Sequence, residues 1–261
     1  MKKLMALLLA LVMVMSLAAC GEQKTNENKG DAASGDATPP AEITYAVEAG
    51  SAGEEVAQAN GFKTVAVGSQ ANALMEVDAG TADAAIIDLL MAGAMVGEGT
   101  SYPDLKVTEQ KLNSELYGVG CRKGSDLTSF INSVMSAAYA DGTMVELAKT
   151  YGVQESLLEQ SACEFTAAES DSDVQYIQDK GKLIVGITEF APMDYQDANG
   201  QWIGFDADMA KLVAEKLGVE VEFQIINWDM KVEELEGKQI DCVWNGMTLT
   251  DGVQAAMECS N

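Results

Sequence analysis

Between two polar stretches, the chain alternates short apolar runs with amphipathic segments. Residues 43–47 read as a strand, and Gly50-Ser51 opens a helix that closes at Asn60-Gly61. A second strand at 64–67, a helix at 70–79 ended by Gly80, and a third strand at 84–87 complete this unit. The pattern returns downstream. A strand at 183–187 precedes a helix on which Phe205, Met209, Leu212, Val213 and Leu217 recur at helical spacing before Gly218. A strand at 221–226, a short helix ending at Glu236 before Gly237, and a strand at 241–244 follow. The repetition is one of pattern, not of sequence identity. Strands joined through helices favour parallel pairing, so each run predicts an α/β unit. Between the units lies a helical pair. Ser125 caps a predicted helix with Leu127, Phe130, Ile131, Val134, Met135 and Ala138 on one face, and Asp141-Gly142 makes a turn. Thr143 with Glu146 fits a capping box, and Gly152 closes the second helix. Two α/β units joined by few connections predict a cleft between lobes.

The ends and joints are different in character. Met1, Lys2 and Lys3 give a basic start, and residues 4–15 are uninterruptedly apolar. Residues 4–19 fall short of the roughly 20 residues that a membrane span needs. Leu17-Ala18-Ala19-Cys20 resembles a bacterial lipobox, in which cleavage precedes an acylated cysteine; a plain secretory cleavage site is the alternative. Residues 20–42 carry Asn, Lys, Asp, Ser, Gly and Pro39-Pro40, a composition suited to a flexible tether. A second weak stretch at 160–175 holds Glu164, Glu169, Asp171 and Asp173 without a basic residue, and reads as an internal linker.

Composition narrows the chemistry. The 261 residues include 41 acids, 16 bases and no histidine. Without histidine, Ser-His triads and His-ligated metal sites are excluded. A net charge of −25 argues against nucleic acid as a partner, because a phosphate backbone needs basic counter-charge. Beyond Cys20, the cysteines are Cys121, Cys163, Cys242 and Cys259, with no C-x-x-C pair. No metal and no cofactor are implied; the thiols stand open between disulfide and buried free forms.

Several runs together resemble the amino-acid-type (family 3) solute-binding proteins of ABC importers. GKLIVGI at 181–187, FAPMDY at 190–195, GFDADMA at 204–210, QID at 239–241 and NGMTLTD at 245–251 resemble the start of that family's first lobe. AVEAGS at 46–51 with Gly53-Glu54, and GTADAAIID at 80–88, resemble the second lobe. YGVGCRKGSD at 117–126 and ADGT at 140–143 resemble the return crossover and closing helices of the first. The resemblance implies a two-lobed, type II periplasmic-binding-protein-like α/β fold, with the lobe order circularly permuted. On that reading, 1–19 is a lipoprotein signal peptide and 20–42 the tether. Residues 43–118 are lobe 2, 119–162 the crossover and closing helices of lobe 1, 163–175 a linker, and 176–261 the start of lobe 1. One of the family's two crossover strands has no counterpart up to Asn261, which implies a looser hinge and an unpaired sheet edge.

The resemblance also implies a ligand site. Phe190 and Trp228 match the aromatic walls, and Asn245, Gly246 and Thr248 match a loop that offers backbone and hydroxyl groups. Ser51 and Ala52 match a helix N-terminus suited to a carboxylate. Asp88 matches the acid that pairs with the ligand's ammonium. Each has a plainer reading: core aromatic, turn glycine, N-cap or strand-end residue. Val253 stands where the family often places a carboxylate-gripping arginine. Either Arg122 or the helix N-terminus then takes that role, or the ligand is not a standard α-amino acid.

The function implied is capture of a small, amino-acid-like solute by lobe closure, for delivery to an ABC permease. The protein would then be extracytoplasmic, held at the membrane through a lipid on Cys20, and monomeric. Two alternatives stand beside this. One is a ligand-free paralog, which could complete itself by dimer exchange. The other is a lyase or dehydratase on the same scaffold, with Asp88, Asp194 or Glu189 as acid–base candidates.

Overall fold

The computed structural model describes residues 9–16 and 42–260. The elements in the first half run β1 (Leu9–Ser16), β2 (Thr44–Glu48), α1 (Ala52–Ala59), β3 (Lys63–Val67), α2 (Gln70–Asp78), β4 (Ala84–Asp88), α3 (Leu89–Met95) and β5 (Leu105–Glu115). Then come β6 (Tyr117–Cys121), α4 (Leu127–Ala140), α5 (Thr143–Thr150), α6 (Asp173–Lys180), β7 (Lys182–Ile187), β8 (Tyr195–Gln196) and β9 (Trp202–Ile203). The last elements are α7 (Phe205–Leu217), β10 (Glu220–Ile225), α8 (Lys231–Glu236), β11 (Cys242–Thr248), α9 (Asp251–Ala256) and β12 (Glu258–Cys259). The α/β alternation expected from the sequence is present in both units.

Two five-stranded sheets carry the fold, ordered β3-β2-β4-β1-β5 and β10-β7-β11-β6-β12. They share one layout. In each, three strands pair in parallel, and the fourth position is antiparallel to both neighbours. The chain passes from the first sheet to the second at Leu116, between β5 and β6. β1 therefore holds in the first sheet the place that β6 holds in the second. Its register runs Leu11↔Asp88 to Met15↔Ala84 on β4, and Leu9↔Glu115 to Ser16↔Leu105 on β5. Half of the apolar leader is thus a sheet strand here, where the sequence reads as a targeting segment alone. The physical reason is that β4 and β5 leave one strand position between them, and an extended backbone there satisfies both rows of N–H and C=O groups. Leu17 to Cys20 and the tether lie outside the described residues.

Local signals account for several of the helix ends. Ser51 Oγ accepts from Glu54 N at 3.2 Å, and Ser69 Oγ accepts from Asn72 N at 3.1 Å, so both serve as N-caps. Gly181 and Gly218 terminate α6 and α7 in the left-handed region. The expected capping box at Thr143 does not form: the cap is Gly142, Thr143 N donates to Asp141 Oδ1, and Glu146 pairs with Lys149. Ser125 is likewise not the cap of α4; Asp126 occupies that position and points its carboxylate elsewhere. That carboxylate accepts from Ala168 N, Ser172 Oγ and Val174 N, which pins the linker. Thr166 N also donates to Ser129 on α4, and Phe165 meets Phe130 edge-on.

A charged cluster locks the joint where this linker enters α6. Arg122, the only arginine in the chain, bonds Asp173 through Nε and Nη2 at 2.9–3.1 Å. Its Nη1 donates to the carbonyls of Leu235 and Ile240. Asp241, fully buried, pairs with Lys180 at 2.6 Å and accepts from Ile184 N. Five segments, β6, α6, β7, α8 and the approach to β11, meet in one network. Cys121 and Cys242 lie opposite one another across β6 and β11, both free and buried, and burial pushes the Cys121 thiol up to about 12. Among the described residues the cysteines are unpaired.

Arg122→Gln would leave Asp173 in the interior without its principal cation, while Asp241 keeps Lys180. A loss of about 3–5 kcal/mol is expected, read as a lowered urea midpoint.

Candidate functional site

The C-terminal ends of β2, β4, β7 and β11 converge on one cleft between the two sheets. Strand ends of this kind are where open α/β sheets place ligands. The cavity is small, about 30 Å³, and is lined by Glu48, Ser51, Ala52, Gln70, Asp88, Phe190, Trp228, Lys231, Asn245, Gly246, Thr248 and Val253. All eight residues singled out for ligand contact in the sequence line it. A larger cavity of about 100 Å³ lies behind Tyr117, among Leu90, Met135, Met144, Met193 and Met209. Its wall is mainly thioether and aliphatic, so it offers little to orient a polar solute.

Each expected residue has a definite local role. Asp88 ends β4, is 4% exposed, and accepts from Tyr117 Oη at 2.6 Å and from Gln70 Nε2. Gln70 Oε1 accepts from Asp88 N at 2.8 Å, so the amide fixes the carboxylate from both sides. Phe190 lies flat against Gly246, where φ is +55° and a methyl group would collide with the ring. Tyr117 meets Phe190 edge-on, with ring centroids 6.4 Å apart. Trp228 is buried, and the Lys231 ammonium sits 5.1 Å from its ring centroid. Ser51 caps α1, and Ala52 and Gly53 of its first turn line the cleft.

Asn245–Thr248, expected as a loop that offers groups to a ligand, is instead the end of β11, paired with β6, and its polar groups are largely engaged within the protein. Asn245 accepts from Thr188 N and Oγ1, and donates to Thr188 O and Asp194 Oδ2 at 2.8 Å. Gly246 N donates to Asp206 at 2.6 Å, and Thr248 Oγ1 donates to Glu115 at 3.0 Å. Arg122, considered for the carboxylate, is held in the linker network and does not line the cleft. Val253 does line it, at the start of α9. Of the acid–base candidates, Asp194 is fully buried behind Asn245, burial holding its carboxyl well above the usual range. Glu189 is exposed.

The sequence reading missed Glu48, Gln70, Glu115, Tyr117 and Lys231. Glu48 is 3% exposed and Glu115 5%. Each is an acid closing a strand, as Asp88 does; a charge at the C-terminal end of a strand was the available signal. Burial first, then the Asp88 carboxylate, pushes both carboxyls up to about 8. Burial also lowers the Lys231 ammonium. Lys231 Nζ donates to Gly50 O at 2.8 Å, and Thr248 reaches Glu115, so hydrogen bonds close the cleft from both sheets.

Residues 183–261 match the model of the bacterial extracellular solute-binding proteins, family 3. The chain is 33% identical over 76 residues to the L-cystine-binding protein TcyJ of Escherichia coli K12, covering 29% of each. It is 38% identical over 72 residues to the arginine-binding extracellular protein ArtP of Bacillus subtilis 168, covering 27% of this chain and 28% of that one. The match thus spans less than a third of the length of these relatives. Among solved structures, an ancestral cyclohexadienyl dehydratase is 36% identical, covering 34% of this chain and 37% of that one, with a TM-score of 0.32.

The two raised carboxyls set a direction for stability. Unfolded, Glu48 and Glu115 release protons near their ordinary 4.5; folded, they hold them up to about 8. The native state binds more protons across that window, so stability falls as pH rises through it and levels off above. Thermal melts should show Tm dropping from about pH 5 to pH 8, with a shallower slope in Glu48→Gln. Equal slopes in the two proteins would refute the assignment of Glu48 as a buried neutral acid.

Proposed function

We propose that this chain is the substrate-binding component of an ABC importer, capturing a small polar, amino-acid-like solute between its two lobes. The observation that carries this is the cleft itself. Buried acceptors from β2, β4 and β5 face an aromatic and amide wall from β7, Trp228 and β11, and bonds from Lys231 and Thr248 join the two sides. A solute touching both sides favours the closed form, because it gains its full set of contacts only there. The family match over 183–261, and relatives named for binding cystine and arginine, support the same reading. Catalysis is not required. Asp88 is held by Tyr117 and Gln70, and Asp194 is sealed behind Asn245.

The chain order supports a circular permutation, with 163–175 joining the old termini. The linker's docking along α4 suits a joint between neighbouring surface ends. The lipobox supports export and anchoring through Cys20, with the permease as partner at the membrane. No helix among the described residues is long and apolar enough to cross a membrane. In one molecule, the leader cannot be both a strand of the first sheet and a cleaved signal. Cleavage before Cys20 would open the position between β4 and β5. The ligand-free paralog is the second reading, favoured by Val253 in place of a charged grip.

A thermal-shift screen with the common amino acids and small amines separates the two. A ligand at 100 times its Kd should stabilise the protein by about 2.7 kcal/mol. Asp88→Asn should abolish that shift while leaving a cooperative melt. A cooperative transition that none of these solutes moves would favour the paralog.

A further inference from the structure

We infer that the cleft is built for a compact organic cation, an amine or guanidinium compound that brings no carboxylate; this rests on the solute-capture reading above. Three acids line the cavity, Glu48, Glu55 and Asp88, and a fourth, Glu115, stands on the larger neighbouring cavity and accepts from Thr248 of the cleft wall. Among the described residues one basic side chain, Lys231, lines it. The only arginine of the chain is committed to Asp173, Asp241 and two carbonyls elsewhere. A ligand carboxylate would find no guanidinium; both Asn245 amide donors are bonded within the protein, and the Gln70 amide is held to Asp88. The α1 first-turn amides remain, but Glu54 and Glu55 stand in the same turn and oppose a further anion there.

The acceptor side is the reverse. Glu48, 3% exposed and lining the cavity, has its Oε1 without a hydrogen-bond partner among the described residues. A buried carboxyl oxygen left unmatched is costly, and a donor from the ligand would relieve it. The protein's own chemistry shows what the wall accepts: the Lys231 ammonium already lies over Trp228 and bonds two carbonyls there. Glu48 faces Asp88 from β4, Thr188 beyond β7 and Lys231 from α8; Glu115 faces Asp88, Asn113 and Thr248. Three of these neighbours are neutral, one is cationic, and Asp88 is anionic. A bound cation therefore favours release of the Glu48 and Glu115 protons, and cation affinity rises with pH up to about 8.

The test is isothermal titration of the full chain with two matched pairs, agmatine against L-arginine and putrescine against L-ornithine. Each pair shares the cationic end and differs by the carboxylate. The amines should bind roughly tenfold or more tightly than their carboxylate partners. Agmatine affinity should increase between pH 6 and about 8, and fall by roughly tenfold in Glu48→Gln or, independently, in Glu115→Gln. L-arginine or L-ornithine binding as well as or better than its amine partner would overturn the inference while sustaining solute capture. So would binding of another amino acid when neither amine binds. If no amine and no amino acid binds, the solute-capture reading fails and takes this inference with it.

Discussion

A single buried guanidinium sets much of this structure. Arg122 stands at the end of β6, where the chain has just crossed from one sheet to the other, and its fork reaches Asp173, Asp241 and two main-chain carbonyls. Burial of these carboxylates is tolerable only with such partners, because an ion stripped of water costs several kcal/mol unless its lone pairs are met. The network fixes where α6 begins, how the 163–175 segment returns, and where α8 ends. It has a second consequence at a distance. With the one arginine held there, the cleft has no guanidinium of its own.

The cleft is accordingly a site of acceptors. Its amides, hydroxyls and main-chain donors are mostly satisfied inside the protein, through Asn245 with Thr188 and Asp194, Gly246 with Asp206, and Gln70 with Asp88. Those bonds position the aromatic wall and hold Asp88 in one orientation. Glu48 is left over, raised by burial and by its neighbour. A site in which donors are used up and an acid is not is asymmetric in charge preference, whatever the solute's size. Capture and release then depend on the contacts that bridge the sheets, chiefly Lys231 to Gly50 and Thr248 to Glu115. The close approach of Gly50 to Asp229, where a side chain at 50 would collide with the backbone, suits the same closed arrangement.

The two sheets repeat one layout although their sequences do not repeat. Sheet geometry explains this: three parallel strands with helices on their faces leave an edge, and an antiparallel strand followed by a parallel one extends it in both units. In the second sheet β6 is supplied by the crossover. In the first, the equivalent position is taken by Leu9–Ser16. That an apolar leader can serve as a strand follows from backbone bonding alone, since any extended segment presents the same N–H and C=O rows.

The sequence by itself determined the α/β class and the three parallel strands of each unit with most of their helices, and its family resemblance pointed to eight of the residues that line the cleft. Alternating apolar runs and glycine stops are local signals, and a motif names the ends of strands wherever they lie in the chain. It missed the strand role of β1, together with α3, β5, α6, α9 and the short strands β8, β9 and β12, and placed caps at Ser125 and Thr143 where Asp126 and Gly142 stand. At α4 the Asp126 carboxylate is drawn away by a segment some 40 residues on, a partner no local pattern reveals. Glu48 and Glu115 show the same limit. Each looks like an ordinary acid in the sequence, and only tertiary burial beside Asp88 raises both carboxyls and leaves Glu48 with an unmatched oxygen at the cleft. Arg122 completes the point: its charge was evident from the sequence, but which acids would claim it was decided by distances in the folded chain.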